Sequence, residues 1–282
     1  MIAPHLRNPH LSDRLREFSG QTLIFHPAPG SAGDSLRHAA TYQLFQDLDI
    51  AFRLLSETED IAGAVVVIGG GGNLVPAYSS VRKALIQTAK VASRVIVLPQ
   101  TVRGNEDLLE ELGESVEIFC RDPESYLHVL AHRSRVRAQL AHDLAFSIDI
   151  DRLRSSAAAQ ADALLTEKVP TRPLQRLMVE SGHQFFFQKS RKRTKRFCPK
   201  SSIDISLLFK TGTKPDEAEV GALALLSYLD RVHEVHTDRL HVGIAGAMLG
   251  KRVYLYDDSY GIVGGSYRHS LHADFPKVQL IP

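Results

Sequence analysis

Residues 64–73 read Ala-Val-Val-Val-Ile-Gly-Gly-Gly-Gly-Asn, and this stretch decides the fold class. Its first half is a short, continuous run rich in β-branched residues, which is typical of a strand buried on both faces of a parallel sheet. The four glycines predict a sharp turn, and residues 81–91 then have the spacing of a helix. A buried strand, a glycine turn and a helix form the repeating unit of α/β proteins, so we expect an α/β fold.

The same unit recurs along the chain. The predicted strands are Thr22–His26, 64–68, 94–98, Val116–Cys120, 184–187, 202–208, Glu234–Thr237 and Arg252–Tyr256. The predicted helices are 35–46, 81–91, 108–112, 125–131, 152–165, 218–229 and 239–249. We expect Pro99 to end the strand at 94–98.

The length of the chain and one run of helix breakers predict two domains. The 282 residues exceed the usual size of one domain, and 44% hydrophobic and 23% charged residues exclude a mainly disordered chain. An Ala-rich helical stretch leads to the breakers at 169–173. We therefore expect a Rossmann-like domain at 1–150 and a second one at 151–282, facing each other across a cleft.

The charge balance and the apolar runs exclude several classes of protein. Lys and Arg outnumber Asp and Glu by only 34 to 32, so we expect no nucleic-acid partner. The first residues contain no signal-peptide core, and no run approaches the roughly 18 apolar residues of a membrane span. These features predict a cytoplasmic protein.

The cysteines and histidines do not predict a metal site. Cys120 and Cys198 lie far apart without neighbouring ligands, and we interpret them as reduced thiols. His128, His132 and His142 lie on or near predicted helices, and the sequence places no carboxylate beside them. We expect them to be surface or packing residues, and we expect no bound metal.

The glycine turn is a candidate ligand-binding loop. Gly70, Gly71 and Gly72 allow backbone N–H groups to approach a ligand, and Asn73 follows them. A tight turn without a ligand explains the glycines equally well. No lysine follows at Walker A spacing, and the dinucleotide fingerprint does not fit, so nucleotide hydrolysis is disfavoured.

Arg121 is a candidate anion-binding residue. It follows the predicted strand Val116–Cys120, and open α/β sheets bind ligands at the carboxyl ends of their strands. We therefore expect Arg121 near a crevice. The alternative is a surface ion pair with Asp122 or Glu124.

The stretch at 237–241, Thr-Asp-Arg-Leu-His, joins a predicted strand to a predicted helix. Arg239 and His241 then fall in the first helical turn, where free backbone donors, the positive helix end and a guanidinium favour phosphate or carboxylate. His241 adds a group that transfers protons near neutral pH. A helix cap with a solvated arginine and a structural histidine is the alternative.

A basic run follows the three phenylalanines at 185–187. Its cations are Lys189, Arg191, Lys192, Arg193, Lys195 and Arg196. Such a run fits the diphosphate of a lipid-linked sugar or peripheral contact with an anionic membrane. A solvated loop is the alternative, and nucleic acid is disfavoured by the balanced charge of the remaining chain.

Seven short motifs, in order, resemble the polysaccharide pyruvyl transferase family across most of the chain. They are Gly30, Gly33 and Asp34; Gly70 to Leu74 with Tyr78; Leu98-Pro99-Gln100-Thr101; Arg121-Asp122 with Ser125; His142 to Phe146; Thr237 to His241; and Asp258-Ser259-Tyr260-Gly261. The sequence departs from the family pattern at Ile262, where relatives commonly have lysine, and in the basic run.

The resemblance implies a fold similar to the GT-B glycosyltransferases, with phosphoenolpyruvate as donor and no cofactor. The acceptor would be a glycan, an exopolysaccharide or its lipid-linked oligosaccharide precursor. The resemblance also implies catalytic or donor-binding roles for His241, Arg239 and Arg121. The donor- and acceptor-binding candidates are Leu240, Gly70, Gly71, Gly72, Asn73, Tyr78 and Asp34.

Two alternative functions remain open from the sequence. A glycosyltransferase of similar fold that uses a nucleotide sugar would need the same basic site for a diphosphate. A catalytically silent subunit of polysaccharide assembly would be compatible with Ile262 in place of lysine.

Overall fold

The computed structural model describes residues 2–28, 32–56, 60–133, 135–169, 183–188, 199–200 and 202–282. The chain forms two compact units. The N-terminal unit consists of Pro4–Pro29 and Thr41–Ser147, and the C-terminal unit consists of Met1–Ala3, Gly30–Ala40 and Ile148–Pro282. The predicted boundary near residue 150 lies close to Ile148, whereas the segment Gly30–Ala40 groups with the C-terminal unit.

The N-terminal unit is built on a parallel sheet of seven strands. They are β1 (Thr22–His26), β2 (Ala51–Leu54), β3 (Val65–Ile68), β4 (Gly71–Leu74), β5 (Arg94–Val102), β6 (Val116–Cys120) and β7 (Arg137–Leu140). The order is β2-β1-β3-β5-β6-β7, and β4 also pairs with β5. The direction of winding reverses between β1 and β3, and such a reversal is where doubly wound sheets bind ligands, at the carboxyl ends of the strands.

Four of the five described helices of this unit follow a strand, as the repeating pattern predicts, and the first precedes β1. They are α1 (Pro9–Arg16), α2 (Ala32–Asp47), α3 (Ser80–Thr88), α4 (Glu106–Glu111) and α5 (Pro123–His132), and the division between the units falls within α2. One sheet face carries valines of β3 and β5 in an apolar cluster with α3 and α5. The other face carries Phe25, whose ring packs edge-on against Tyr42 and Phe45.

The C-terminal unit has a four-stranded parallel sheet in the order β11-β10-β9-β8. Its strands are β8 (His183–Phe186), β9 (Glu234–Thr237), β10 (Arg252–Tyr256) and β11 (Val278–Ile281). Its helices are α6 (Ile150–Lys168), α7 (Ile205–Leu208), α8 (Pro215–Asp230), α9 (Leu240–Met248) and α10 (Ile262–Ser266). Helix α9 lies against β9 and β10, and a Cβ on Gly243 would be 2.4 Å from a Leu255 methyl carbon, so a larger residue would push the helix off the sheet.

The α/β architecture with parallel sheets is confirmed, and four predicted strands have the predicted ends. Other details differ. The segment predicted as a strand at 202–208 contains helix α7 instead, because tertiary context overrides the β propensity of its isoleucines. Pro99 does not end β5, since a register shift between Val97 and Gln100 takes the proline out of the regular ladder. Gly71 and Gly72, which were predicted to lie in a turn, belong to strand β4.

Besides β4, three short strands were not predicted from the sequence. They are β2, β7 and β11, and all three lie at sheet edges. Edge strands bury only part of their side chains, so Ala51–Leu54 and Arg137–Leu140 lack the continuous apolar pattern of the central strands. The basic run from Lys189 to Arg196 lies outside the described residues, as does Gly30. None of the described helices is both long and apolar enough to cross a bilayer.

Candidate functional site

His241 lies in the first turn of α9, just beyond the carboxyl end of β9. The helix begins at Leu240, and Arg239 is its N-cap residue with an extended backbone. His241 is only 9% exposed. The first N–H groups of a helix have no acceptor within that helix, and its positive end favours anions. The start of α9 therefore combines a nearly buried imidazole with the features of an anion site.

Asp34 is the carboxylate beside His241. Its Oδ1 lies 3.8 Å from His241 Nδ1 and 3.3 Å from Arg37 Nη2. The Arg37 side chain is fully buried, and that of Asp34 is 16% exposed. At these distances the carboxylate balances the buried guanidinium and attracts a positive charge that forms on the imidazole. The sequence predicted Asp34 as a ligand contact, and the structure places it next to the candidate proton carrier.

Gly33 allows α2 to approach His241 closely. A Cβ built on Gly33 would lie 3.0 Å from His241 Cβ and 3.3 Å from Ser206 Oγ. Ser206 is fully buried, and its Oγ has no hydrogen-bond partner among the residues that the structure describes. Buried hydroxyls are normally hydrogen-bonded, so this orphan group next to His241 is a candidate ligand contact. Sequence reasoning missed Ser206 because it assigned 202–208 to a strand.

Arg239 is fixed by a two-point ion pair with Asp204. Its Nε donates to Oδ1 at 3.1 Å, and its Nη2 donates to Oδ2 at 2.6 Å. The Arg239 side chain is 19% exposed and that of Asp204 is 2% exposed. Among the described residues, Nη1 of Arg239 has no hydrogen-bond partner, so one side of the planar fork remains for an anion.

The backbone around Arg239 is held by the ends of two strands. Thr237 Oγ1 accepts a hydrogen bond from Arg239 N at 2.9 Å and donates to the carbonyl of Phe186. Asp238 accepts from Gln188 N at 2.7 Å through its Oδ1. These bonds tie the carboxyl end of β8 to that of β9 and fix the direction in which α9 starts.

Arg121 is buried in the N-terminal unit and paired with Asp143. Nη1 of Arg121 donates to Asp143 Oδ2 at 2.6 Å, Nε donates to Thr101 Oγ1 at 2.8 Å, and the side chain is 2% exposed. The surface ion pair with Asp122 or Glu124, the alternative from the sequence, is therefore wrong. Asp143 is the countercharge that holds the guanidinium at the carboxyl edge of the sheet.

Asp122 instead caps helix α5. Its Oδ1 accepts from Ser125 N at 2.7 Å and from Arg103 Nη2 at 3.0 Å. Its Oδ2 accepts from Thr101 Oγ1 at 3.1 Å. Thr101 thus joins the Asp122 cap to the Arg121 pair, and the network keeps the ends of β5 and β6 in a fixed arrangement.

The glycine turn lies next to this network, at the same edge of the sheet. A Cβ on Gly70 would be 2.2 Å from the Pro99 carbonyl oxygen, and Gly71 has φ +115°, so both positions require glycine. Gly71 pairs with Gln100, and Gln100 pairs with Cys120, the residue before Arg121. The turn, Gln100 and Arg121 therefore lie side by side along three neighbouring strands.

Gln100 is a second new candidate, since it lies in one of the family motifs but no role in binding was predicted for it from the sequence. Its side chain is fully buried, and within the described part of the chain neither its Oε1 nor its Nε2 has a hydrogen-bond partner. A buried amide with both ends unsatisfied is costly, and it indicates a water or ligand that completes its hydrogen bonds. An amide at the end of an otherwise apolar strand was the signal in the sequence.

The other residues that were predicted to contact a ligand differ in their exposure and in the unit to which they belong. Leu240 is 6% exposed and packs in the core of the C-terminal unit. Tyr78 is 40% exposed, and Gly72 and Asn73 are half-buried in β4. Tyr78, Asn73 and the glycines belong to the N-terminal unit with Arg121, whereas Arg239, Leu240, His241 and Asp34 belong to the C-terminal unit.

Two histidines do have a carboxylate neighbour, contrary to the expectation from the sequence. Ligand atoms of His128, His132 and Glu106 lie within 4.8 Å of one another. Glu106 precedes the histidines by more than 20 residues, and only the packing of α4 against α5 brings them together.

Comparison with known proteins assigns the chain to a family. The family model for polysaccharide pyruvyl transferase matches residues 22–260. A protein of Bacillus subtilis (strain 168) named "Putative pyruvyl transferase EpsO" is 22% identical over 284 residues, which cover 91% of this chain and 86% of that protein. The crystal structure of the uncharacterized protein KP1_0663 from Klebsiella pneumoniae has a TM-score of 0.74 and 23% identity over 98% of both chains, and thus shares the fold. The chain belongs to the polysaccharide pyruvyl transferase family.

Proposed function

We propose that this transferase uses phosphoenolpyruvate as donor and forms a pyruvate ketal on a sugar of a polysaccharide or its lipid-linked precursor. The observation that carries the proposal is the start of α9, where His241 and the Arg239 fork lie at the positive end of a helix. Phosphoenolpyruvate has a phosphate and a carboxylate, and such a site favours both kinds of anion.

The chemistry requires two proton movements and no redox step. One sugar hydroxyl adds to C2 of phosphoenolpyruvate while C3 takes up a proton and becomes a methyl group. The second hydroxyl then replaces phosphate at C2, so two hydroxyl protons are released. One of them balances the proton gained at C3, and the other leaves with the phosphate.

His241 is the residue we assign to proton transfer. An imidazole gives and accepts protons near neutral pH, and the Asp34 carboxylate 3.8 Å away attracts the charge of its protonated form. Apo geometries of catalytic contacts are often long, so 3.8 Å is compatible with a closer contact when the donor is bound. In this proposal Asp34 positions the ring and stabilises its charge.

In this proposal Arg239 binds an anionic group of the donor, and Arg121 of the N-terminal unit is a second candidate for binding an anion. Arg239 keeps its Nη1 for a ligand because Asp204 occupies Nε and Nη2. Arg121 likewise uses Nε and Nη1 for Thr101 and Asp143, and among the described residues its Nη2 has no partner. Each guanidinium is therefore held in place by a buried acid and offers one further donor, which orients the substrate as well as attracting it.

The acceptor side of the proposal rests on the glycine turn and the basic run. The turn brings backbone to the carboxyl edge of the sheet beside the unsatisfied Gln100 amide, and amides and N–H groups suit sugar hydroxyls. The basic run from Lys189 to Arg196 would attract the diphosphate of a lipid carrier or an anionic membrane surface. Replacing its cations by glutamine should then weaken binding to anionic vesicles more at low salt than at high salt.

The function is tested by measuring phosphate release from phosphoenolpyruvate with a panel of free and lipid-linked glycans. We expect acceptor-dependent release of one phosphate per ketal formed. The same panel with nucleotide sugars is the matched comparison. Release of nucleoside diphosphate there, together with no phosphate from phosphoenolpyruvate, would favour a glycosyltransferase. No turnover with any donor would favour a silent assembly subunit.

A further inference from the structure

His128, His132 and Glu106 form a compact group of metal-ligand side chains in the N-terminal unit. One ligand atom from each residue lies within 4.8 Å of the others. The two histidines are four residues apart on α5, so they lie on one face of the helix, and their ring centroids are 4.8 Å apart. Glu106 is the first residue of α4, and its Oε1 lies 3.7 Å from His128 Nε2.

The loop before α4 holds the His128 ring in place. His128 Nε2 lies 2.9 Å from the carbonyl oxygen of Gly104, which accepts its proton when Nε2 carries one. When Nε2 carries this proton, Nδ1 is the ring nitrogen that can bind a metal, and metal-binding histidines commonly donate their second ring N–H to a backbone carbonyl in this way. Gly104 has φ +60°, and a Cβ there would lie 2.8 Å from Pro76 Cγ, so this position requires glycine.

The Glu106 carboxylate is not the partner of Arg82. Arg82 instead forms a two-point ion pair with Asp107, at 2.6 Å and 3.0 Å, and its Nη1 also donates to Asn105 Oδ1. This ion pair fixes the first turn of α4, and the charges of Arg82 and Asp107 neutralise each other. The negative charge of Glu106, which is exposed, therefore remains for a cation beside the histidines.

We propose that Glu106, His128 and His132 bind one Zn²⁺ ion. Two imidazoles and one carboxylate, with water in the fourth position, are a known zinc donor set, and two histidines four residues apart on a helix are a known zinc-binding spacing. Zinc bonds of 2.0–2.2 Å place tetrahedral ligands roughly 3.3 Å apart, so the side chains must close by about 1.5 Å at most. Half-exposed histidines and an exposed glutamate can do so by rotation of their side chains.

In this proposal the ion joins the start of α4 to the end of α5. It replaces the expectation from the sequence that the chain has no metal site. It is independent of the proposed transferase activity, because none of the three residues belongs to the candidate catalytic groups. If the proposal is wrong, the three side chains form a surface cluster that binds no metal ion.

The test is calorimetric titration of tag-free, full-length protein with Zn²⁺, together with Co²⁺ absorption spectra. The wild-type chain should bind close to one equivalent of Zn²⁺ and give a tetrahedral Co²⁺ spectrum. We expect His132→Ala and Glu106→Gln to weaken Zn²⁺ binding at least tenfold and to abolish the rise in Tm that Zn²⁺ causes. His10→Ala, which removes an exposed histidine of α1, is the matched control and should bind like the wild type.

Two results would overturn the zinc site. One is the absence of stoichiometric Zn²⁺ binding to the wild-type chain. The other is binding that survives both His132→Ala and Glu106→Gln, since the ion would then lie elsewhere. Circular dichroism of each variant without metal separates loss of the site from loss of the fold.

Discussion

Replacing Gly33 by alanine should disturb the position of His241 without removing any catalytic group. The new Cβ would lie 3.0 Å from His241 Cβ, and carbon atoms in contact prefer about 3.5–4.0 Å, so the imidazole has to move by about 0.5–1 Å. A displacement of about 1 Å can cost on the order of 10²-fold in rate, and half of that displacement corresponds to roughly tenfold. We therefore expect kcat for phosphate release to fall about 10–100-fold.

The effect of Gly33→Ala on stability should be smaller than its effect on turnover. Overpacking costs about 1–3 kcal/mol, but alanine within a helix gains about 1 kcal/mol over glycine, so the free energy of unfolding should fall by about 0–2 kcal/mol. Gly113→Ala is the matched control, because nothing lies within 4 Å of its Cβ position. Steady-state phosphate release and denaturant unfolding measure the two effects. Normal kcat in Gly33→Ala, or an equal loss in Gly113→Ala, would refute the reasoning.

Three further changes test separate parts of the account. His241→Asn should lower turnover about 10²–10⁴-fold while calorimetric binding of phosphoenolpyruvate changes little, and near-normal turnover would contradict a proton-transfer role. Arg239→Lys loses the two-point contact with Asp204 and should weaken donor binding by about 1.5–3 kcal/mol, whereas unchanged affinity would indicate a purely structural arginine. Burial raises the pKa of the Cys120 thiol. In a Cys198→Ser variant, Cys120 should therefore not react with a thiol reagent at pH 8 until the chain is unfolded. Fast labelling of the native protein would contradict this expectation.

The sequence predicted the central strands well because burial on both faces leaves a continuous apolar signal. Val116–Cys120 and Glu234–Thr237 were predicted to the residue. Edge strands such as Arg137–Leu140 have exposed side chains and carry no such signal. The helical turn at Ile205–Leu208 depends on the surroundings of the segment, since its alternating isoleucines favour a strand.

The candidate site could be predicted only in part for a similar reason. Local pattern identified Arg239 and His241, because a strand end followed by a helix start is visible in the sequence. The acids that hold the two arginines, Asp204 for Arg239 and Asp143 for Arg121, are set by long-range packing. Each acid lies too far along the chain from its arginine for a local sequence pattern to connect the two, so the sequence assigned them no such role.

The orphan polar groups were also beyond the reach of local pattern. Whether Ser206 and Gln100 find hydrogen-bond partners depends on every neighbour in the folded chain. A sequence can indicate that an amide follows an apolar strand, but it cannot indicate that both ends of the amide stay unsatisfied. Such groups are therefore best found from the structure.

The central claim is that phosphoenolpyruvate donates its three-carbon unit to a sugar as a ketal. The most direct measurement is NMR and mass spectrometry of the product formed from phosphoenolpyruvate and an acceptor glycan in D₂O. We expect one phosphate released per ketal and a ketal methyl group that carries a single deuterium, because C3 takes up one exchangeable proton. A product without that methyl group, or glycan modified only when a nucleotide sugar is supplied, would contradict it.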